Sequence, residues 1–220
     1  MFTTRGDVAE KLTPELLLTG YATGIFPMAE RRDDPELFWV DPLRRGIFPL
    51  DRFHISRSLA RRIRSTRYRV TADLDFGGVV EGCADRPETW INGPIHALYL
   101  DLYRMGHAHS VEVWEDAHLV GGVYGVVLGG AFFGESMFSR RTDTSKIALA
   151  FLVERLRSGG FTLFDTQFQT PHLRSLGCIE VARGTYRRLL REALAAPADF
   201  GERGPMDPPY GIMQRKAQTS

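Results

Sequence analysis

Residues 110–138 read SVEVWEDAHLVGGVYGVVLGGAFFGESMF, and this run decides the fold. Ser110–Glu115 alternates as a half-buried strand does, and Asp116-Ala117-His118 is a turn. Leu119–Leu128 is a second strand, Gly129-Gly130 a tight turn, and Ala131–Phe138 a third strand. Working outward toward the C-terminus, Ser145–Arg157 predicts a largely apolar helix that ends at Gly159-Gly160. Thr162–Gln167 reads as a further strand and Pro171–Leu176 as a short helical turn. Residues 179–181 read as a strand and Thr185–Ala195 as an amphipathic helix. Toward the N-terminus, Ile95–Met105 and Phe76–Ala84 read as helices, Tyr68–Leu74 as a strand and His54–Ser65 as an amphipathic helix. Leu12–Tyr21 is a short helix opened by Thr13-Pro14, with proline at an early helical position. An antiparallel meander followed by a buried helix, another strand and another helix gives an α+β fold with a mixed sheet. The expected organisation is a small N-terminal subdomain (1–45), a sheet domain (46–196) and a proline-containing tail (197–220) that forms an extended wrap or is partly disordered.

Composition narrows the class. The chain has 220 residues, of which 43% are hydrophobic and 25% charged, as in a globular domain able to fold without disulfide or metal staples. Collagen-like, disordered, disulfide-framework and membrane-spanning readings are excluded. Met1–Glu10 lacks the apolar segment of a signal peptide. Cys83 and Cys178 stand in no metal-ligand pattern, which fits two small buried thiols in a reducing cytoplasm.

Net charge is only +1, yet 25 of the 28 basic residues are arginine. Nine arginines and a single acid, Asp51, lie between Arg44 and Arg69. On the His54–Ser65 helix, Ile55, Leu59 and Ile63 share one face, and Arg57, Arg61 and Arg64 fall together on the other. Such a ridge suits phosphates; it equally suits a solvated face in an arginine-rich chain.

Three places invite chemistry. In the strand 161–167, alternation puts Phe161, Leu163, Asp165 and Gln167 on one side, so an acid and an amide project together. The alternative for Asp165 is a cap of the next turn. In Ala131–Phe138, regular alternation puts Phe133, Glu135 and Met137 on one side. A carboxylate between large apolar neighbours needs a partner or a cationic ligand, and Gly134 suggests a bulge that re-aims the segment. Residues 134–138 do not form a nucleophile elbow, because Phe138 stands where G-x-S-x-G needs glycine. His107 and His109 have no carboxylate companion and read as structural. Gly121-Gly122 and Gly129-Gly130 do not precede helices, so no dinucleotide fingerprint is present.

Several strings fit one family together: Gly24-Ile25-Phe26-Pro27, His54-Ile55-Ser56-Arg57-Ser58, Glu81-Gly82-Cys83-Ala84, Thr89-Trp90-Ile91, Gly106-His107-Ala108-His109-Ser110, Glu112-Val113-Trp114, Leu119-Val120-Gly121-Gly122, Gly134-Glu135-Ser136-Met137-Phe138-Ser139 and Asp165-Thr166-Gln167. From about Leu16 to Leu190 the chain resembles the bacterial leucyl/phenylalanyl-tRNA–protein transferases. The resemblance implies a sheet domain of the N-acetyltransferase superfamily and transfer of Leu or Phe from aminoacyl-tRNA to proteins that begin with Arg or Lys; an apolar donor pocket separates near-isosteres by only about 1–3 kcal/mol, from which leaky acceptance of Met follows. Such tagging feeds the N-degron pathway of protein degradation. It implies no metal and no organic cofactor, no DNA partner and no membrane, and a monomer is expected. By resemblance, Asp165 and Gln167 orient the acceptor amine and relay its proton, with Asp165 acting either as a base or by positioning alone, and Glu135 meets the basic N-terminal residue of the acceptor. Phe132, Phe133 and Met137 surround the donor side chain, although Phe132 and Met137 meet only if Gly134 bulges. Trp90 either stacks near the terminal adenosine, as the family tryptophan does, or is a core residue; Arg57, Arg61 and Arg64 suit acceptor-stem phosphates, and Arg140 and Arg141 suit the tRNA 3′ end.

The sequence itself speaks against an ordinary acetyltransferase. That fold cradles coenzyme A pyrophosphate on a glycine-rich R/Q-x-x-G-x-G/A loop before a helix. The corresponding run, Ser139 to Lys146, contains no glycine. The chain also departs from the family's frequent pattern, with Met28 in place of tryptophan, Thr170 in place of asparagine, and Val40-Asp41-Pro42 in place of Ser-Pro. An acetyltransferase, a peptidoglycan-type aminoacyl transferase and a non-catalytic RNA-binding module are the rival readings.

Overall fold

The computed structural model describes residues 2–4, 12–29, 37–65, 67–86, 89 and 91–209. Trp90, residues 30–36 and residues 210–220 lie outside these residues.

In chain order the elements are β1 (Phe2–Thr4), α1 (Pro14–Thr23), β2 (Phe26–Ala29), β3 (Leu37–Asp41), β4 (Arg44–Phe48), α2 (Arg57–Arg64), β5 (Arg69–Ala72), α3 (Phe76–Ala84), α4 (Gly93–Arg104), β6 (Ala108–Glu115), β7 (His118–Leu128), β8 (Ala131–Ser139), α5 (Thr144–Ser158), β9 (Leu163–Gln167), α6 (Pro171–Ser175), β10 (Ile179–Ala182), α7 (Arg183–Ala195) and β11 (Gly204–Pro205). β1, β3 and β2 form a small antiparallel sheet. The other eight strands form one sheet in the order β10-β4-β9-β8-β7-β6-β5-β11. Every pairing in it is antiparallel except β8 with β9. That one parallel pair follows from α5, whose length lets the chain cross over and return in the same direction.

Two apolar layers sandwich the large sheet. On one side, α2 and α5 cover Val111, Val113, Val123, Phe132 and Phe164. On the other, α1, α3, α4 and α7 cover Tyr124, Val126, Phe133 and Leu163. The helix starts follow local chemistry. The side chains of Thr13, Ser56, Asp75 and Asn92 each accept the N–H of a first-turn residue, satisfying donors that have no partner within the helix. Gly24 closes α1 at φ 88°, a left-handed conformation that glycine adopts without a Cβ clash.

The meander forms as its sequence predicts, and Phe76–Ala84 is a helix with those bounds. β4 is a strand that the arginine-rich reading passes over, and it begins at Arg44, within the stretch expected to close the small subdomain. Residues 197–209 run across the sheet edge. Gly204–Pro205 pairs with β5, and Phe200 is buried with its ring 4.1 Å from His109 and 6.1 Å from Phe132. Arg155 on α5 donates to the carbonyls of Phe200 and Glu202, so the extended segment is pinned by backbone as well as ring contacts.

Candidate active site

β8 carries a bulge at its centre. Gly134 pairs with Gly125 and Ser136 with Tyr124, which leaves Glu135 opposite no residue. One extra residue inverts the alternation downstream of it. Phe132 and Met137 consequently pack into the α2/α5 layer, whereas Phe133 packs into the opposite layer. The expectation that Phe133, Glu135 and Met137 share a face is thereby corrected. Phe133 is fully buried with its ring 4.6 Å from Tyr21, outside any donor surface formed by Phe132 and Met137. Phe132 meets Phe164 edge-on at 5.3 Å, and half-buried Met137 lies against the same cluster.

The bulge aims Glu135 between two helices. Tyr21 of α1 donates to its Oε1 at 2.6 Å, and Tyr99 of α4 donates to its Oε2 at 2.7 Å. Gln167 Nε2 donates to Oε1 at 3.2 Å. Burial raises the Glu135 carboxyl from its ordinary value to about 7, with the nearby Asp165 charge adding to the rise and the two phenols and the amide opposing it. Burial, followed by the Glu135 charge, pushes both phenols well above their ordinary range, so Tyr21 and Tyr99 remain protonated donors. Glu135 itself is half-buried, whereas Asp165 is fully buried.

Asp165 is different. It is fully buried, and so is Arg45 of β4. Arg45 Nε and Nη2 donate to Asp165 at 2.9 Å and 2.6 Å. Tyr186 of α7 donates to Oδ2 at 2.7 Å, and the Gln167 backbone N–H donates to Oδ1 at 2.8 Å. These donors occupy the lone pairs of both oxygens. The Arg45 guanidinium lies between the rings of Phe26 (4.3 Å) and Tyr186 (4.6 Å) and also donates to the Gly24 carbonyl. Burial opposes the Arg45 charge, but Asp165 more than offsets it, so its pKa is raised.

Asp165 fixes an uncommon backbone. Gln167 has φ 60°, and the N–H of Phe168 donates to the Thr166 carbonyl at 2.6 Å. This is a γ-turn with a positive central φ, a strained form that persists where its surroundings hold it. The amide of Gln167 is thereby turned toward Glu135. Leu163 and Asp165 share the face expected of them, whereas Phe161 precedes β9 and packs in the opposite layer. Tyr21, Arg45, Tyr99 and Tyr186 have no local signature in the sequence. Arg45 in particular is a core residue, and not part of the basic surface that the 44–69 cluster suggests.

The other expected residues lie away from this centre. Arg57, Arg61 and Arg64 are exposed on α2, opposite buried Leu59 and Ile63, and form no ion pair among the described residues. Arg140 and Arg141 lie beyond β8, at 3.3 Å from Asp85 and 3.0 Å from Glu115. At the start of α5, Asp143 takes Lys146 (2.8 Å) and Arg62 (3.2 Å). A carboxylate there opposes the binding of a pyrophosphate. His109 bonds Asp73 at 2.7 Å, and the described residues contain no cluster suited to a metal. Cys83 and Cys178 are free and buried, and burial pushes the Cys83 thiol to about 12.

A large, mostly antiparallel sheet with one parallel pair and helices on both faces is the architecture of an α+β acyltransferase-type domain. The leucyl/phenylalanyl-tRNA protein transferase family matches residues 47–191, and the N-terminal domain of that transferase matches residues 10–43. A leucyl/phenylalanyl-tRNA–protein transferase of Cereibacter sphaeroides is 66% identical over 209 residues, covering 95% of this chain and 98% of the relative. Relatives of the same name from Ruegeria pomeroyi (64%, covering 95% of this chain and 99% of theirs) and Roseobacter denitrificans (60%, covering 96% and 100%) are similar along almost their whole length. The chain belongs to the leucyl/phenylalanyl-tRNA–protein transferase family and is an aminoacyltransferase.

Proposed function

We propose that this enzyme moves Leu or Phe, with some leakage of Met, from aminoacyl-tRNA to the α-amine of proteins that begin with Arg or Lys. The product enters the N-degron route of proteolysis in the cytoplasm. The observation that carries this reading is the half-buried Glu135–Gln167 pair, held by the buried Arg45–Asp165–Tyr186 anchor.

The reaction is aminolysis of an ester already activated by its ribose leaving group. Positioning of the amine against the ester carbonyl supplies much of the rate. Gln167 is the positioning amide. With its NH₂ committed to Glu135, its carbonyl oxygen is left to accept from the amine. Glu135 meets the cationic N-terminal residue, and the positive side chain of Arg or Lys gains attraction at longer range. The donor side chain meets half-buried Met137, which is backed by buried Phe132 and Phe164. An apolar surface separates near-isosteres by only about 1–3 kcal/mol, hence the leakage of Met. Arg57, Arg61 and Arg64 hold acceptor-stem phosphates, with Arg140, Arg141 and Trp90 nearer the 3′ end.

The test is transfer of labelled Leu or Phe from charged tRNA to peptides that differ only in their first residue. Labelling of Arg- and Lys-peptides over an Ala-peptide supports the reading, and equal labelling of all three refutes the acceptor rule.

A further inference from the structure

We propose that Glu135, and not Asp165, takes the proton from the attacking α-amine. This inference rests on the functional reading above. A proton acceptor must be reachable by the amine and must have an open lone pair. Asp165 is fully buried, and Arg45, Tyr186 and the Gln167 N–H occupy its oxygens. Glu135 is half-buried; Tyr21 and Gln167 occupy Oε1, while Oε2 receives Tyr99 alone among the described side chains. One acceptor position on Oε2 is therefore left for an N–H. The groups facing this carboxyl are Tyr21 from α1, Tyr99 from α4, Tyr124 from β7, and Asp165 and Gln167 from β9. Among the described residues no lysine or arginine bonds it directly, so its affinity for a proton is not suppressed as a salt bridge would suppress it.

The step balances as follows. The acceptor's α-ammonium gives one proton to the Glu135 carboxylate. The nitrogen lone pair then forms the C–N bond at the ester carbonyl, and the C–O bond to the ribose breaks. A second N–H proton passes to the departing ribose oxygen, the third remains on the new amide, and Glu135 returns its proton to water. Asp165 is a positioning residue that holds the γ-turn at Gln167.

The experiment measures kcat and KM for an Arg-peptide between pH 6 and 9.5 with Leu-tRNA, using wild type, Glu135→Gln and Asp165→Asn. At pH 7, Glu135→Gln should lose about 10²- to 10⁴-fold, the usual contribution of a positioned base, mainly in kcat. The deficit should shrink as pH rises past the peptide's own amine pKa of about 8, where neutral amine arrives unaided. The Asp165→Asn deficit should not shrink with pH. The proposal is overturned by a Glu135→Gln loss confined to KM, by a deficit equal at all pH values, or by Asp165→Asn being the variant that recovers. A cooperative urea unfolding transition for Glu135→Gln at pH 5 establishes that the variant is folded. Failure of the wild type to label Arg-peptides at any pH overturns the functional reading, and the proposal with it, before any variant is compared.

Discussion

Replacing Asp165 with Asn keeps its shape and an oxygen for the Gln167 N–H but deletes its charge. Arg45 is then left as a cation at 1% exposure, between two aromatic rings and without a counterion. Breaking a buried pair on one side costs about 3–5 kcal/mol, because the surviving charge is neither solvated nor paired. In a chain of this size each kcal/mol shifts the midpoint by about 2–4 °C, so Tm should fall by roughly 6–20 °C. The companion Arg45→Met leaves the opposite charge stranded: the fully buried Asp165 carboxylate keeps only Tyr186 and the Gln167 N–H, and the Gly24 carbonyl loses its donor. The double variant should be more stable than the sum of the two single losses allows, with a coupling of up to about 3 kcal/mol. Urea unfolding of all four proteins at pH 7 closes the cycle. A loss below about 1 kcal/mol for Asp165→Asn, with no coupling, would refute the claim that the pair is a dry anchor.

Glu135 makes a pH-dependent contribution of its own. Its carboxyl rises from an ordinary value of 4.5 to about 7 on folding. Its stabilising share is thus present below pH 4.5 and lost as pH climbs through 7. Glu135→Gln should gain on wild type across that window by up to about 3 kcal/mol in urea titrations. Phe200→Ala should cost about 3–5 kcal/mol by emptying the space beside His109 and Phe132, read as a lower urea midpoint with unchanged m. Changing Arg57, Arg61 and Arg64 to Ala should weaken tRNA binding while leaving Tm nearly unchanged. The slope of log K against log salt should fall by about one for each phosphate no longer neutralised. Filter binding at several salt concentrations decides this, and an unchanged slope would remove α2 from the tRNA surface.

The parts of the fold legible in the sequence are those whose signals are local. The 110–138 meander alternates within single strands, and its turns carry glycine or Asp, so register and connection follow without knowledge of the rest. The bulge was legible only as a condition: Gly134 allows it, but the unpaired residue is Glu135, and only cross-strand pairing with Gly125 and Tyr124 reveals which side each neighbour takes. β4 was missed because its five residues begin with two arginines, and its pairing partners β9 and β10 lie more than a hundred residues away. The anchor was hidden for the same reason. Arg45 meets Asp165 across 120 positions and Tyr21 meets Glu135 across 114, distances over which a single sequence carries no pattern. The spacing of Asp165 and Gln167 put both on one strand, as β9 has them. It did not disclose that one side chain is sealed behind Arg45 while the other turns outward on a strained γ-turn.

The most direct measurement is mass spectrometry of an Arg-starting peptide after incubation with the enzyme and Leu-tRNA, beside the same peptide acetylated at its α-amine. The free peptide should gain one leucyl residue on its α-nitrogen and the acetylated one none. Leucyl addition to the blocked peptide, or acetyl transfer from acetyl-CoA with no leucyl transfer, would contradict it.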